Sequence, residues 1–274
     1  MPLIFYERRE ISIKIGITER GDASIDTSWA DKLKNCDGAI IITKNISRWV
    51  FDKLSELHHN HYPVILHATC TGWGGTCIEP NVPDFKTQIT GVKMLIENGF
   101  PRKNIVLRID PIIPSVTGMQ RVYNVIEYAK AIGVINPIAP ENNVRIRISI
   151  LDEYRHVKQR LKNLGLNTVY PGDLFQAPAA TFQYAEHCLA DTQAKLIPGM
   201  KFYTCAETKL NNPKLFNQTG CISKQDLEIM GLNYSSQTIN PQNRNGCLCL
   251  GCKYELLTSR TRCPHQCAYC YWKD

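Results

Sequence analysis

Two rhythms of apolar positions alternate along most of the chain. Short, nearly unbroken apolar runs stand at residues 38–45 (GAIIITKN), after Pro63 (VILHATC), at NIVLRIDPIIP and at VRIRISIL. Their length and their polar boundaries predict buried strands. Between them, ISRWVFDKLSELHHN, PDFKTQITGVKMLIENG and MQRVYNVIEYAKAIG place apolar residues at helical spacing, and Gly99 and Gly133 mark two of the helix ends. Strand and helix in repetition is the pattern of parallel βα units, whose strands are apolar because both sheet faces are covered. Residues 155–200 continue as helix, with a break at PGDLFQAPAAT, and KFYTCA at 201–206 predicts one more strand. From residue 207 the pattern dissolves into a stretch rich in asparagine, glycine and cysteine. The expectation is an α/β fold: a parallel (β/α) partial barrel of the TIM type over residues 1–206, with an irregular cysteine-rich region, 207–274, packed on it.

The predicted strands share a second feature. Their carboxyl ends are polar: Thr43-Lys44-Asn45, Thr69 to Thr71, Arg108 and Asp110, and Ser149 to Asp152. Parallel α/β sheets and β/α barrels bind their ligands at that end. Some of these residues will only cap helices, but four consecutive polar strand ends favour a site.

Composition narrows the class. Of 274 residues, 43% are hydrophobic and 21% charged, which excludes wholesale disorder. The opening MPLIFYERRE lacks the apolar run of a secretory signal. No stretch is long and apolar enough to span a membrane. The expected location is the cytoplasm, with no membrane partner. Thirty-two basic residues against 25 acidic ones give a net charge of +7. That surplus suits either an ordinary basic protein or one with a polyanionic partner or substrate, such as nucleic acid or a nucleotide.

Cysteine changes the picture more. There are 12, and eight of them fall from Cys205 to Cys270. Cysteines clustered in a cytoplasmic chain of this size bind metal more often than they form disulfides. Cys36 and Cys188 read as small buried apolar residues. The tail admits two readings. Cys249-x2-Cys252 with Cys267-x2-Cys270 is close to zinc-ribbon spacing, and describes a non-catalytic nucleic-acid-binding module held by zinc or an iron–sulfur cluster. Alternatively Cys263, Cys267 and Cys270 act together as C-x3-C-x2-C. Three thiolates can hold three irons of a 4Fe-4S cluster and leave the fourth open to a small molecule.

The second pattern, with Tyr269 just before the third cysteine, resembles the radical S-adenosylmethionine (SAM) superfamily. The order of further segments resembles its spore photoproduct lyase-like members, and most of all a family of unknown function with the cysteine motif at the C-terminus. The segments are Thr43-Lys44-Asn45, Thr71-Gly72-Trp73-Gly74, Ile78 to Pro83, Asp110-Pro111-Ile112, Leu151 to Arg155 and Tyr203 to Glu207. The likeness covers roughly residues 38 to 274, and residues 1–37 match poorly. The motif order is permuted, since the superfamily usually carries its three cysteines after the first barrel strand.

The resemblance implies an enzyme. A reduced 4Fe-4S cluster on Cys263, Cys267 and Cys270 would cleave bound SAM to a 5′-deoxyadenosyl radical, fed by an external electron donor such as flavodoxin or ferredoxin. Within the Thr43-Lys44-Asn45 segment, Lys44 would pair with the SAM carboxylate. Thr69 and Thr71 would hydrogen-bond its amino acid or ribose, and Tyr269 would lie by the adenine. Arg108 and Asp110 would face the same pocket, and Glu79 would fix the glycine-rich loop. Cys205, Cys221, Cys247 and Cys249 would ligate an auxiliary 4Fe-4S cluster, with Cys252 able to replace Cys249 and structural zinc as the rival. Cys70 or Cys77 could return a hydrogen atom to product. Tyr154 and Arg155 would stand at the pocket mouth. His58, His59 and His61 read as a solvated helix end.

Overall fold

The computed structural model describes residues 13–167, 169–234, 237–241, 246–258 and 263–271. Its frame is one all-parallel sheet of eight strands, β1 (Ile15–Ile17), β2 (Gly38–Thr43), β3 (Val64–Thr69), β4 (Ile105–Ile112), β5 (Arg145–Ile150), β6 (Phe202–Thr204), β7 (Phe216–Gln218) and β8 (Lys253–Glu255). The spatial order is β7-β6-β5-β4-β3-β2-β1-β8, so β7 and β8 are the edges. Seven strands follow chain order, and the last joins the opposite edge beside β1, with Ile15 opposite Lys253.

One face of the sheet carries helices α1 (Trp29–Lys32), α2 (Arg48–His59), α3 (Phe85–Glu97), α4 (Val116–Ala131) and α6 (Ala179–Leu196). Ser47, Asp84 and Ser115 cap α2, α3 and α4 by accepting hydrogen bonds from their first turns. Alternate strand residues, among them Ile41, Leu66, Leu107 and Ile148, meet the apolar stripes of these helices.

The opposite face is graded along the strands. A smaller apolar group, including Ile15, Ile40, Ile65 and Val106, packs against Leu227 of α7 (Lys224–Ile229) and against Leu250 and Cys252. On β5 the sequence Arg145-Ile146-Arg147-Ile148-Ser149-Ile150 alternates strictly, so isoleucines meet the helices and polar residues turn to this other side. Residues beyond 206 thus supply two strands of the same sheet as well as a cover for it. A third apolar group joins α5 (Arg155–Asn163), through Val157 and Leu161, to Ile78, Ala268 and Tyr269. Among the described residues, no helix is long and apolar enough to cross a membrane.

Candidate cofactor and metal site

The polar strand ends open onto a cavity of about 730 Å³. Lys44, Thr69, Arg108 and Asp110 line it from successive strand ends. Cys263, Cys267, Cys270 and Tyr269 line it from the final loop, and Cys205, Cys221, Cys247 and Cys249 complete the wall.

The final loop is held on several sides. Arg160 Nη1 of α5 donates to the Cys270 carbonyl at 2.6 Å, and Asn81 Nδ2 donates to the Pro264 carbonyl at 2.7 Å. The Ala268 amide donates to the Ile78 carbonyl at 2.9 Å. His265 Nε2 lies 3.2 Å from Asp22 Oδ2, and the pair is almost fully buried. Asp22 also accepts from Thr43 Oγ1 at 2.7 Å and from the Lys44 amide at 2.6 Å, so one carboxylate joins the cysteine loop to the end of β2. Burial pushes the Asp22 pKa up and burial pushes the His265 pKa down, but their mutual contact wins in both cases. Asp22 is held below the usual carboxylate value and His265 above the usual imidazole value.

A second buried group stands at the back of the cavity. Lys44 Nζ donates to Glu79 Oε1 at 2.8 Å and lies 2.6 Å from the Tyr269 hydroxyl, which itself donates to Glu79. Thr71 Oγ1 donates to the other Glu79 oxygen at 2.7 Å. Burial opposes charge on both Lys44 and Glu79, yet each holds the other ionised. Gly74 permits this folding of the loop, because a Cβ there would lie 1.9 Å from the Pro83 carbonyl oxygen.

The four cysteines of the other wall come from three segments. Cys205 follows β6, Cys221 precedes α7, and Cys247 and Cys249 precede β8. The Sγ atoms of Cys205, Cys221 and Cys249 all lie within 4.8 Å of one another. Cys205 Sγ is 3.9 Å from both Cys247 Sγ and Cys249 Sγ. The Cys221 amide donates to Cys249 Sγ at 3.1 Å, an N–H directed at sulfur. Gly220 lets the two segments meet, since a Cβ there would lie 2.5 Å from the Leu248 carbonyl oxygen. Ala206, just after Cys205, and Gln266, just before Cys267, both adopt positive φ, a strained state for non-glycine residues. Cys205, Cys221 and Cys249, buried, soft and convergent, could hold a metal ion, and Cys247 stands beside them.

Not every residue singled out from sequence lines the cavity. Thr43, Asn45 and Thr71 act as braces: Thr43 Oγ1 accepts from the Asn45 amide at 3.0 Å, and Thr71 holds Glu79. Cys252 lies apart from the other thiols, in the apolar group with Ile15 and Ile17. Cys70 packs with the helical face, and Cys77 is exposed. Tyr154 lines the cavity, its ring centroid 4.6 Å from that of Phe175, whereas Arg155 does not line it. Asp22, His265 and Arg147 were not read from sequence as site residues. His265 lies inside the cysteine motif, and Arg147 belongs to the alternating RIRISI run. Asp22 carried no signal.

A parallel α/β sheet whose strand ends meet two groups of thiols around one cavity defines an α/β protein in which Cys205, Cys221 and Cys249 could hold a metal ion. The chain belongs to the family described as a domain of unknown function (DUF1848), whose model matches residues 26–272. No curated protein and no solved structure matches it.

Proposed function

We propose that the protein is a radical SAM enzyme built on a partial barrel. The observation that carries this reading is the meeting of Cys263, Cys267 and Cys270 with Lys44, Thr69, Arg108 and Asp110 around one cavity. Three thiolates on one loop suit a 4Fe-4S cluster with one iron left open, and the strand ends offer charged and hydroxyl partners for an amino acid and a ribose. Such a cluster supplies one-electron cleavage of SAM, and the chain's own residues position and shield the reactants. Lys44 and Tyr269 reach the cavity already bound to Glu79, so they hold a fixed orientation before any ligand enters. The proposed partners are an external electron donor such as flavodoxin or ferredoxin and, from the basic charge, a nucleic acid or nucleotide substrate.

For the four cysteines of the second wall we propose an auxiliary 4Fe-4S cluster. One observation favours a single ion there instead. Four thiolates ~2.3 Å from one tetrahedral ion would stand ~3.8 Å apart, and Cys205 Sγ lies 3.9 Å from two neighbours. Iron and zinc counts on anaerobically purified protein decide between these two. Incubation with SAM and dithionite tests the enzyme: 5′-deoxyadenosine should form, and Cys263→Ala should abolish it. An iron-replete protein that never cleaves SAM sinks the radical reading.

A further inference from the structure

Three arginines project from neighbouring strands into the graded face of the sheet: Arg108 of β4 and Arg145 and Arg147 of β5. Two of them have carboxylate partners. Arg145 Nη1 meets Asp226 at 2.6 Å, and Arg108 meets Asp110. Arg147 is different. It is 2% exposed, and no described carboxylate pairs with it. Its Nη1 lies 3.4 Å from the Thr219 carbonyl and 3.9 Å from Cys221 Sγ, while Nε and Nη2 are buried without a partner.

A guanidinium does not give up its proton inside a protein, and a buried cation without a counter-charge is strongly unfavourable. His67 cannot supply the missing charge. Both its ring nitrogens are buried and unpartnered, and burial, reinforced by the three arginines, holds it neutral. One divalent ion held by four thiolates makes a centre with two net negative charges, which would supply the missing charge.

We propose that Arg147 is the built-in counter-ion of a dianionic metal–thiolate centre on Cys205, Cys221, Cys247 and Cys249, pairing with it through Cys221. The inference rests on metal occupying that second centre and is independent of SAM chemistry. Arg147 is then a positioning residue with an unusual signature. It stabilises the metal-loaded protein and burdens the metal-free one. A purely packing residue would stabilise both.

The test uses the full chain with Cys263, Cys267 and Cys270 all replaced by alanine, so that bound metal reports the second centre alone. Chelator is titrated against this protein and against Arg147→Met and Arg147→Lys in the same background. Arg147→Met should lose metal at about one-tenth the chelator concentration, as loss of a partner to a metal ligand does. Arg147→Lys, which keeps the charge, should fall between. Thermal melting should show Arg147→Met lowering Tm in the loaded protein but leaving Tm unchanged or raised after metal removal. Equal losses in both states, or an unchanged chelator midpoint, overturn the proposal. Should Arg147→Met yield no folded protein, Arg147→Lys decides by its chelator midpoint: no shift overturns the counter-ion role. SAM cleavage is absent from this background, so failure of the radical reading would register separately, in the native chain.

Discussion

The two groups of thiols face one cavity but are built in opposite ways. The first is local: three cysteines on one short loop, which the rest of the protein grips from outside through Asp22, Asn81, Arg160 and the Ile78 carbonyl. The second is dispersed, with Cys205, Cys221, Cys247 and Cys249 arriving from segments far apart in sequence. In the first, the fold organises the ligands. In the second, a metal joining the ligands would organise the fold, because it would tie β6, α7 and the approach to β8 together.

The contrast is broken most severely at Cys221. Cys221→Ala should release the second centre's metal and make residues beyond 206 about tenfold more sensitive to protease, because metal binding there acts as folding free energy. Cys263→Ala should leave protease resistance near that of the native protein. Limited proteolysis with metal analysis compares them, and similar behaviour of the two variants would erase the distinction.

Next in size is Lys44→Met. It strands the Glu79 carboxylate in a buried site and should cost about 3–5 kcal/mol. Adding Glu79→Gln should recover part of the loss in denaturant unfolding; no recovery would mean that the pair's charge is not what matters. Asp22→Asn is milder, about 1–3 kcal/mol by the loss of charge-assisted hydrogen bonds. It should speed alkylation of the thiols at 263–270 in metal-free protein and leave the rate at the second group the same as in metal-free native protein. Uniform exposure of both groups would show that Asp22 serves the whole fold.

Glu207 sharpens the comparison through pH. It accepts from Ser149 Oγ and the Ile150 amide, both at 2.9 Å, and burial pushes its pKa up to about 7. The folded chain therefore keeps a proton that the unfolded chain has already released. Its contribution to stability is full below the unfolded value near 4.5 and is lost as pH rises towards 7. Glu207→Gln should flatten that part of a Tm-against-pH curve, and an unchanged slope would remove Glu207 from the account. The smallest effect belongs to Cys252→Ala. It should trim an apolar contact, costing about 1 kcal/mol, and leave metal content unchanged. Loss of metal would make Cys252 a ligand after all.

The same contrast explains what the sequence discloses. The βα repeats are legible because strands such as Gly38–Thr43 are long and apolar and the helices carry capping residues. The loop at 263–270 is legible because its ligands are neighbours. Strands Ile15–Ile17, Phe216–Gln218 and Lys253–Glu255 are three residues each and carry too little pattern to register, whereas the equally short Phe202–Thr204 is marked by the run KFYTCA. The choice between Cys249 and Cys252 was closed to spacing alone. Tertiary placement separates them: Cys249 converges with Cys205 and Cys221, and Cys252 packs with Ile15 and Ile17. Asp22 acts across a long loop, through contacts that no local pattern encodes.

The position of β8 beside β1 also sets a timetable. A ribosome delivers β1 first and its outer neighbour after every other described strand of the sheet. Until β8 emerges, one side of β1 presents unpaired amides and carbonyls next to the buried isoleucines Ile15 and Ile17. An open edge of this kind recruits other chains. The nascent protein is therefore stickier than the finished one, and chaperone cover during translation should raise its soluble yield more than any improvement to its core.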